Sequence, residues 1–294
     1  MRHVLTFIAS PTSTVPLAQT VSRLTAGFSG MPTHWLAKDR ACDVELEYAL
    51  TPEAFVKLRQ TCHDGQIDCV MQPLANRKKK LLISDMDSTM IEQECIDELA
   101  GCVGLKPKVS AITERAMKGE IEFAAALRER VGLLADLPAA VLDEVFADRI
   151  TLMPGARTLL ATMKARGSYC LLVSGGFTFF TARVAAALGF DGHEANVLEV
   201  SGGVLIGTVA EPILGKEAKL AALYRICRAR HIALAETLAV GDGANDLPML
   251  MAAGLGVAYH AKPVVEASAH AAIRFNDLSA LLYLQGIAQA EWVH

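Results

Sequence analysis

The chain of 294 residues has no apolar run long enough to cross a bilayer. An uncharged stretch near its start, Val4 to Ser22, is interrupted by Ser, Thr, Pro and Gln and makes a poor span. MRHVLTFIAS is apolar only briefly and lacks the design of a signal peptide, so a cytoplasmic protein with no membrane partner is expected. Positive charge is not in excess either: 28 Lys and Arg stand against 32 Asp and Glu, a formal net charge of −4. Nucleic acid, whose backbone demands clustered cations, therefore has no electrostatic case as a partner. The seven cysteines are an odd set without a paired CxxC spacing, which argues for reduced, mostly buried thiols. There is neither an internal repeat nor a low-complexity tract. GDGAND lacks the spaced ligands and terminal glutamate of an EF-hand, and GLGVAYHA lacks the third glycine of a dinucleotide loop.

What is present suits a globular protein: 52% hydrophobic and 20% charged residues support a sizeable core. Residues 3–75 read as strand, helix, two strands, helix, strand, with VLTFIA and IDCVMQPL as outer strands. TPEAFVKLRQTCHDG opens with a capping-like Thr-Pro-Glu. The βαββαβ order predicts a small ferredoxin-like unit at 1–76, with its helices on one face. Asn76 to Lys80 reads as a linker whose basic residues, Arg77 to Lys80, are solvated and guard the apolar strand behind them.

From residue 77 to 294 strands alternate with helices: LLISD, CLLVSGG, TLAVGDG and GVAYHA each meet or follow a helical segment. Such alternation predicts a Rossmann-like parallel sheet covered on both sides. Between Lys106 and Arg149 only helical spacing is found, which predicts a helical cap insertion at about 93–150. EANVLEVSGGVLIGTV, 194–209, reads as a β-hairpin turning at Gly202-Gly203.

Polar residues gather at the carboxyl ends of the strands, where open parallel sheets bind ligands. Asp85 and Asp87 end the first core strand, Ser174-Gly175-Gly176 the second, and Gly241-Asp242-Gly243 another. An isolated Asp85/Asp87 pair reads first as a turn aspartate and a helix N-cap. Asp242 arriving from a separate strand changes that reading, because three gathered carboxylates repel one another unless a cation joins them. Hard Mg²⁺, which takes carboxylate and carbonyl oxygens, is the expected cofactor. A metal-held carboxylate beside a free one suits phosphoryl transfer, with Asp85 as nucleophile and Asp87 as general acid and base. Ser174 and the N–H groups after it would hold phosphate oxygens at a helix start. Lys219, in KEAKLAALYRICRAR, is a candidate cation for the same phosphate, although by itself it reads as a solvated helix lysine.

These residues carry a resemblance. DMDST at 85–89, the strand end at Ser174, a downstream lysine and GDGAND at 241–246 resemble, in order, the four motifs of the haloacid dehalogenase superfamily. Within it, DMDSTMIEQECIDELA, ITERAMKGEIEFAAALRERVGLL, LVSGGF and VGDGANDLPML are similar to the phosphoserine phosphatase family over roughly residues 81 to 285. The resemblance implies Mg²⁺ held by Asp85, Asp242 and the Asp87 carbonyl, with Asp246 supporting that shell. It implies phosphate binding by Ser174, Gly175 and Lys219, and substrate or phosphate contact by Asn245. In the cap it assigns Glu94 to a substrate ammonium, Arg130 to a carboxylate and Phe123, with Met117 nearby, to closure. Spacing alone reads those three as a helix-start charge, a surface arginine and a core phenylalanine. The implied small-molecule substrate is O-phosphoserine, hydrolysed to serine and phosphate as the last step of serine biosynthesis. The alternative is phosphoryl transfer to another alcohol, or hydrolysis of a related small phosphorylated metabolite.

Lys118-Gly119-Glu120 is the turn expected to let the cap move. The unit at 1–76 resembles ACT-type amino-acid-sensing modules by element order, which leaves open an amino-acid effector there or a packing module that forms a homodimer.

Overall fold

The computed structural model describes residues 1–27, 33–117 and 120–294. The first six elements are His3–Ala9 (β1), Leu17–Leu24 (α1), Thr33–Ala37 (β2), Ala41–Leu46 (β3), Pro52–Asp64 (α2) and Ile67–Pro73 (β4). Helix α2 begins as its sequence directs: the Thr51 side chain accepts from Ala54 N at 3.3 Å and Pro52 fills the first turn. The strands form an antiparallel sheet of order β2-β3-β1-β4. Alternation along β1 gives each face its own task. Leu5, Phe7 and Ala9 pack with Leu17, Val21, Leu58 and Cys62 of the two helices, whereas Ile8 joins the core of the rest of the chain. The second face of this small sheet is thus closed by the larger unit.

The larger unit holds six parallel strands: Leu81–Ser84 (β5), Tyr169–Phe177 (β6), Gly192–Asn196 (β7), and, after the hairpin Leu198–Ser201 (β8) and Val204–Val209 (β9), Thr237–Gly241 (β10), Leu255–Tyr259 (β11) and Ala271–Ile273 (β12). Their order, β12-β11-β10-β5-β6-β7, runs outward in both directions from the β5/β10 pair. That pair is the point where strand order reverses, so a crevice opens beyond its carboxyl ends. Leu81, Ile83, Leu171, Val173 and Ala239 point to one covered face, and Leu82, Cys170, Leu172, Leu238 and Val240 to the other. Both faces being buried is why these strands read as continuous apolar runs.

Among the described residues four helices are inserted after β5: Cys95–Cys102 (α3), Lys106–Met117 (α4), Phe123–Gly132 (α5) and Ala140–Arg149 (α6). The chain enters and leaves the insertion side by side, with Ile91 bridging Leu152 and Met153 N bonded to Met90 O at 2.9 Å. Lys118 and Gly119 of the turn expected to permit movement lie outside the described residues. Ala156–Ala165 (α7), Thr178–Leu188 (α8), Lys216–Arg230 (α9) and Leu247–Ala252 (α10) flank the sheet.

The hairpin is narrower than expected from the sequence, because residues 192–196 extend the sheet as its edge strand instead. Gly202 and Gly203, both at positive φ (59° and 83°), make its turn. Its strand β9 props the cap: Asp136 N bonds to Leu205 O at 2.9 Å, and a Cβ on Gly207 would stand 2.9 Å from Ala135 Cβ.

The linker reading needs correction. Arg77 forms a two-pronged pair with Asp43 at 2.7 and 3.1 Å, and also donates to Thr6 Oγ1, Tyr283 O and Leu284 O. Lys79 is buried with Nζ on Ala235 O at 2.8 Å. Only Lys78 and Lys80 point to solvent. The segment bolts the two units together, as does Asp68, which accepts from Arg274 N, Phe275 N and Asn276 Nδ2. The seven cysteines are unpaired, all but Cys102 being buried. Among the described residues no helix is long and apolar enough to cross a membrane.

Candidate active site

Strand β5 is fully buried along LLIS and delivers Asp85 to the crevice, its backbone N–H still bonded to Val240 O of β10 at 3.1 Å. One Asp85 carboxylate oxygen accepts from Met86 N at 2.7 Å and the other lies 2.6 Å from Lys219 Nζ. Lys219, on α9, is 2% exposed and also pairs with Asp246 Oδ1 at 2.6 Å. The solvated-lysine reading is therefore wrong: this ammonium lies beneath the crevice, tied to two acids. Burial by itself would depress Lys219, but Asp246 and Asp85 outweigh that and hold it above its ordinary range. Asp246 Oδ2 in turn accepts from Gly243 N at 3.0 Å. Only glycine fits at 241, where a Cβ would stand 2.4 Å from the Asp246 carboxyl.

Asp242 completes the group. Oxygens of Asp85, Asp242 and Asp246 all lie within 4.8 Å of one another, three carboxylates against one ammonium. The imbalance appears in their protonation. Burial, then the charge of Asp85, pushes both Asp242 and Asp246 up to about 7. A donor set of hard oxygens that is short of positive charge fits a divalent cation of the Mg²⁺ or Ca²⁺ type. Thr89, fully buried, donates to Asp242 Oδ1 at 3.0 Å and aims that carboxylate. Sequence reasoning passed over Thr89, although it stands within the quoted DMDST.

Asp87 stands on the next side-chain position toward the cap. Its Oδ1 accepts from Cys95 N at 3.0 Å, and its Oδ2 faces Ser174 Oγ at 3.4 Å. Burial, then the charge of Glu94, pushes Asp87 up to about 7, so it can both give and take a proton near neutrality. Ser174-Gly175-Gly176 does not follow β6 at a helix start, as expected, but forms an irregularity within the strand, between Val173 and Phe177. Helix α8 begins only at Thr178. Ser174 Oγ accepts from Gly176 N at 2.8 Å, and a Cβ on Gly176 would meet Asp87 Oδ2 at 2.9 Å. Glycine is needed there for close approach, since its φ is ordinary.

The cap supplies the other wall of a cleft of about 140 Å³, lined by Asp85, Asp87, Glu94, Phe123, Arg130, Ser174, Gly175, Asp242 and Asn245, with Ile96 and Leu127 as apolar neighbours. Lys219 and Asp246 lie behind this lining. Glu94 keeps solvent access at the mouth and accepts from Ser88 Oγ at 2.8 Å; crowding away from water raises its carboxyl. Ser88 holds a positive φ of 54°, a local bend that composition does not disclose. Arg130, in the last turn of α5, is steadied by Nε on Ala126 O at 3.3 Å and Nη1 on Thr113 Oγ1 at 3.2 Å. Its guanidinium is partly desolvated, which lowers its pKa, opposed by Asp97, Glu94 and Asp87. Phe123 opens α5 with its ring 3.2 Å from where a Gly175 Cβ would stand, so it overhangs the Ser174 loop. One acid and one guanidinium on the cap, above carboxylates and small residues on the sheet, suit a small ligand carrying phosphate, ammonium and carboxylate.

Residues 82–251 match the haloacid dehalogenase-like hydrolases. A phosphoserine phosphatase of Streptomyces coelicolor is 44% identical over 225 residues, covering 76% of this chain and 55% of its own. This chain thus spans little more than half of that relative's length. The crystal structure of a haloacid dehalogenase-family hydrolase from Salmonella enterica serovar Typhi superposes with a TM-score of 0.87 at 33% identity, over 96% of this chain and 98% of that one. A phospho-aspartyl intermediate analogue of phosphoserine phosphatase superposes with a TM-score of 0.66 at 40% identity, over 70% of this chain and 98% of that one.

Proposed function

The chain belongs to the haloacid dehalogenase-like hydrolases, and on that premise we propose that it hydrolyses O-phosphoserine to serine and phosphate through a phosphorylated Asp85. The observation that carries this reading is the opposite charge pair Glu94 and Arg130 facing the Asp85–Asp87 pair across one cleft. Mg²⁺ held by Asp85, Asp242 and the Asp87 carbonyl, with Asp246 behind them, would offset charge on the phosphate oxygens.

An Asp85 carboxylate oxygen attacks phosphorus, and the bond from phosphorus to the serine oxygen breaks. Asp87, raised to about 7 by burial and by Glu94 and so partly protonated at neutrality, gives its proton to the departing alkoxide. It then takes a proton from the water that attacks the aspartyl-phosphate, releasing phosphate and restoring Asp85. Ser174 Oγ, the Gly175 N–H, Asn245 and the charge of Lys219 hold the phosphoryl group. Glu94 takes the substrate ammonium and Arg130 its carboxylate. Phe123 shields the site from bulk water during the first transfer.

The division into a ferredoxin-like, ACT-type unit at 1–76 and a catalytic unit at 77–294 with its cap at about 93–150 belongs to the same proposal. The pairing of Ile91 with Leu152 supports the cap boundary. The reaction places the protein at the last step of serine formation from a phosphorylated precursor. Phosphate release with Mg²⁺ is compared for phosphoserine and propyl phosphate. A kcat/KM at least a hundredfold higher for phosphoserine is expected, since two charge-assisted contacts of about 1.5 kcal/mol each are at stake. Equal efficiency sinks the substrate assignment. Capture of the phosphoryl group by added homoserine, in preference to water, would reassign the chain as a transferase.

A further inference from the structure

Asparagine is disfavoured within strands and seldom fully buried. Asn196, the last residue of β7, is nevertheless 2% exposed. Its whole amide is engaged: Oδ1 accepts from Leu214 N at 2.7 Å, and Nδ2 donates to Leu214 O at 3.3 Å and to Gly175 O at 2.9 Å. The bond to Gly175 answers a need created by the sheet. β6 and β7 pair at Val173 with Glu194, and next at Phe177 with Asn196. Ser174, Gly175 and Gly176 therefore stand opposite Ala195 alone, and the ladder cannot partner all three. Two of them are glycines, the residues freest to take other conformations. The Asn196 side chain stands in for a missing rung.

Gly175 O and Gly176 N belong to one planar peptide. Asn196 holds its oxygen edge, and at the other edge Ser174 Oγ accepts from Gly176 N at 2.8 Å. That bond turns the Ser174 hydroxyl hydrogen the other way, toward Asp87 Oδ2 at 3.4 Å. The two bonds to Leu214 reach a second segment, just ahead of α9, whose Lys219 pairs with Asp85. Gly215, next to Leu214, and Gly175 both face Phe123, whose ring lies 3.5 and 3.2 Å from where their Cβ atoms would stand. One buried amide thus joins the Ser174 loop, the entry to α9 and the two glycines against which Phe123 rests.

We propose that Asn196 is a positioning residue for phosphoryl transfer. It touches no reacting atom and acts through the Gly175–Gly176 peptide, whose placement fixes Ser174 Oγ and the adjoining Gly175 N–H where the phosphoryl group sits. This role rests on the reading of the cleft as a phosphoryl-transfer site, whichever ester is hydrolysed there. Because the loop meets only the phosphoryl end of a substrate, loss of Asn196 should slow every phosphate ester alike, whereas loss of Arg130 should be felt only by an ester with a carboxylate.

Asn196→Leu keeps the branched outline and removes all three bonds, and Asn196→Ala removes them with room left for water. Thr181→Val is the control: it deletes another bond to β7, between Thr181 Oγ1 and His193 Nδ1 at 2.9 Å, that does not reach Gly175. Steady-state rates with Mg²⁺ are measured on phosphoserine and on propyl phosphate, beside a melting curve for each protein. Both Asn196 variants are expected to lose about tenfold to a hundredfold in kcat/KM, by the same factor on each ester, with kcat falling together with kcat/KM. Thr181→Val should keep the parent's rates whatever its melting temperature. Asn196 variants within about threefold of the parent, equal losses in Thr181→Val, or a larger loss on phosphoserine than on propyl phosphate overturn the proposal. Failure of both Asn196 variants to fold assigns the residue to the scaffold and overturns it too. The substrate assignment fails separately, on the parent's own preference between the two esters, and a parent inactive on both removes the site reading and this role with it.

Discussion

Replacing Lys219 by methionine removes a charge from a place that water cannot reach. The side chain is 2% exposed and its ammonium lies 2.6 Å from both Asp85 and Asp246. Methionine fills similar space, so the loss is electrostatic rather than a cavity. Breaking a buried pair by removing one partner costs about 3–5 kcal/mol, because the orphaned charge stays buried. At about 2–4 °C per kcal/mol, the melting temperature in EDTA at pH 8 should fall by about 6–20 °C. The cost depends on pH with a definite sign. Asp246 sits at about 7 against an ordinary 3.8, and Lys219 is one of the influences holding it down. A carboxyl raised in the folded state favours folding when protonated, so stability is lost as pH climbs from about 4 through the folded pKa. Without Lys219 that folded pKa rises further and the loss extends beyond 7, so the variant should lag least at pH 5 and most at pH 8. Added Mg²⁺ should narrow the gap at pH 8, since a cation bound only by the folded state stabilises by mass action. Scanning calorimetry at both pH values, with and without Mg²⁺, tests each part. A variant melting within about 2 °C of the parent in EDTA at pH 8 would refute the claim that this ammonium compensates the acidic cluster.

Gly176→Ala should lower kcat/KM about a hundredfold with little change in melting temperature, because the new Cβ would stand 2.9 Å from Asp87 Oδ2 and displace the proton donor. Steady-state kinetics beside a melting curve checks both halves. Arg130→Ala should cost about 2 kcal/mol in kcat/KM for phosphoserine and almost nothing for propyl phosphate; equal losses on both would assign Arg130 to folding. Glu94→Gln removes the second-largest of the three causes, after burial and ahead of Asp85, that raise Asp87 to about 7. The alkaline limb of the kcat–pH profile, set by loss of the Asp87 proton, should therefore move to lower pH, and an unmoved limb argues against Asp87 as the acid. Arg77→Met removes the bidentate pair with Asp43 and three further bonds, and should split thermal unfolding into two transitions as the small unit detaches first.

Local chemistry was legible from residues alone. The apolar run LLIS, the helices between strands and the capping Thr51-Pro52 declare themselves through period, burial and backbone preference within a few residues. So did the parallel sheet with a small βαββαβ unit ahead of it, and the motif order that marks the family. Where a signal depends on partners far along the chain, the sequence is silent or misleading. Lys219 reads as a solvated helix lysine because nothing near it announces Asp85 or Asp246. Arg77 and Lys79 look like solvent-facing charge until Asp43, Tyr283, Leu284 and Ala235 arrive beside them. The irregularity in β6 that turns Gly176 toward Asp87 is a mismatch of register with β7, which no single strand contains. Even the edge strand β7 exists only because β6 is there to pair with it. Residue type and spacing determined which elements form and which acids end them; only the folded sheet order decided which of those acids meet, and which cations are carried inside to neutralise them.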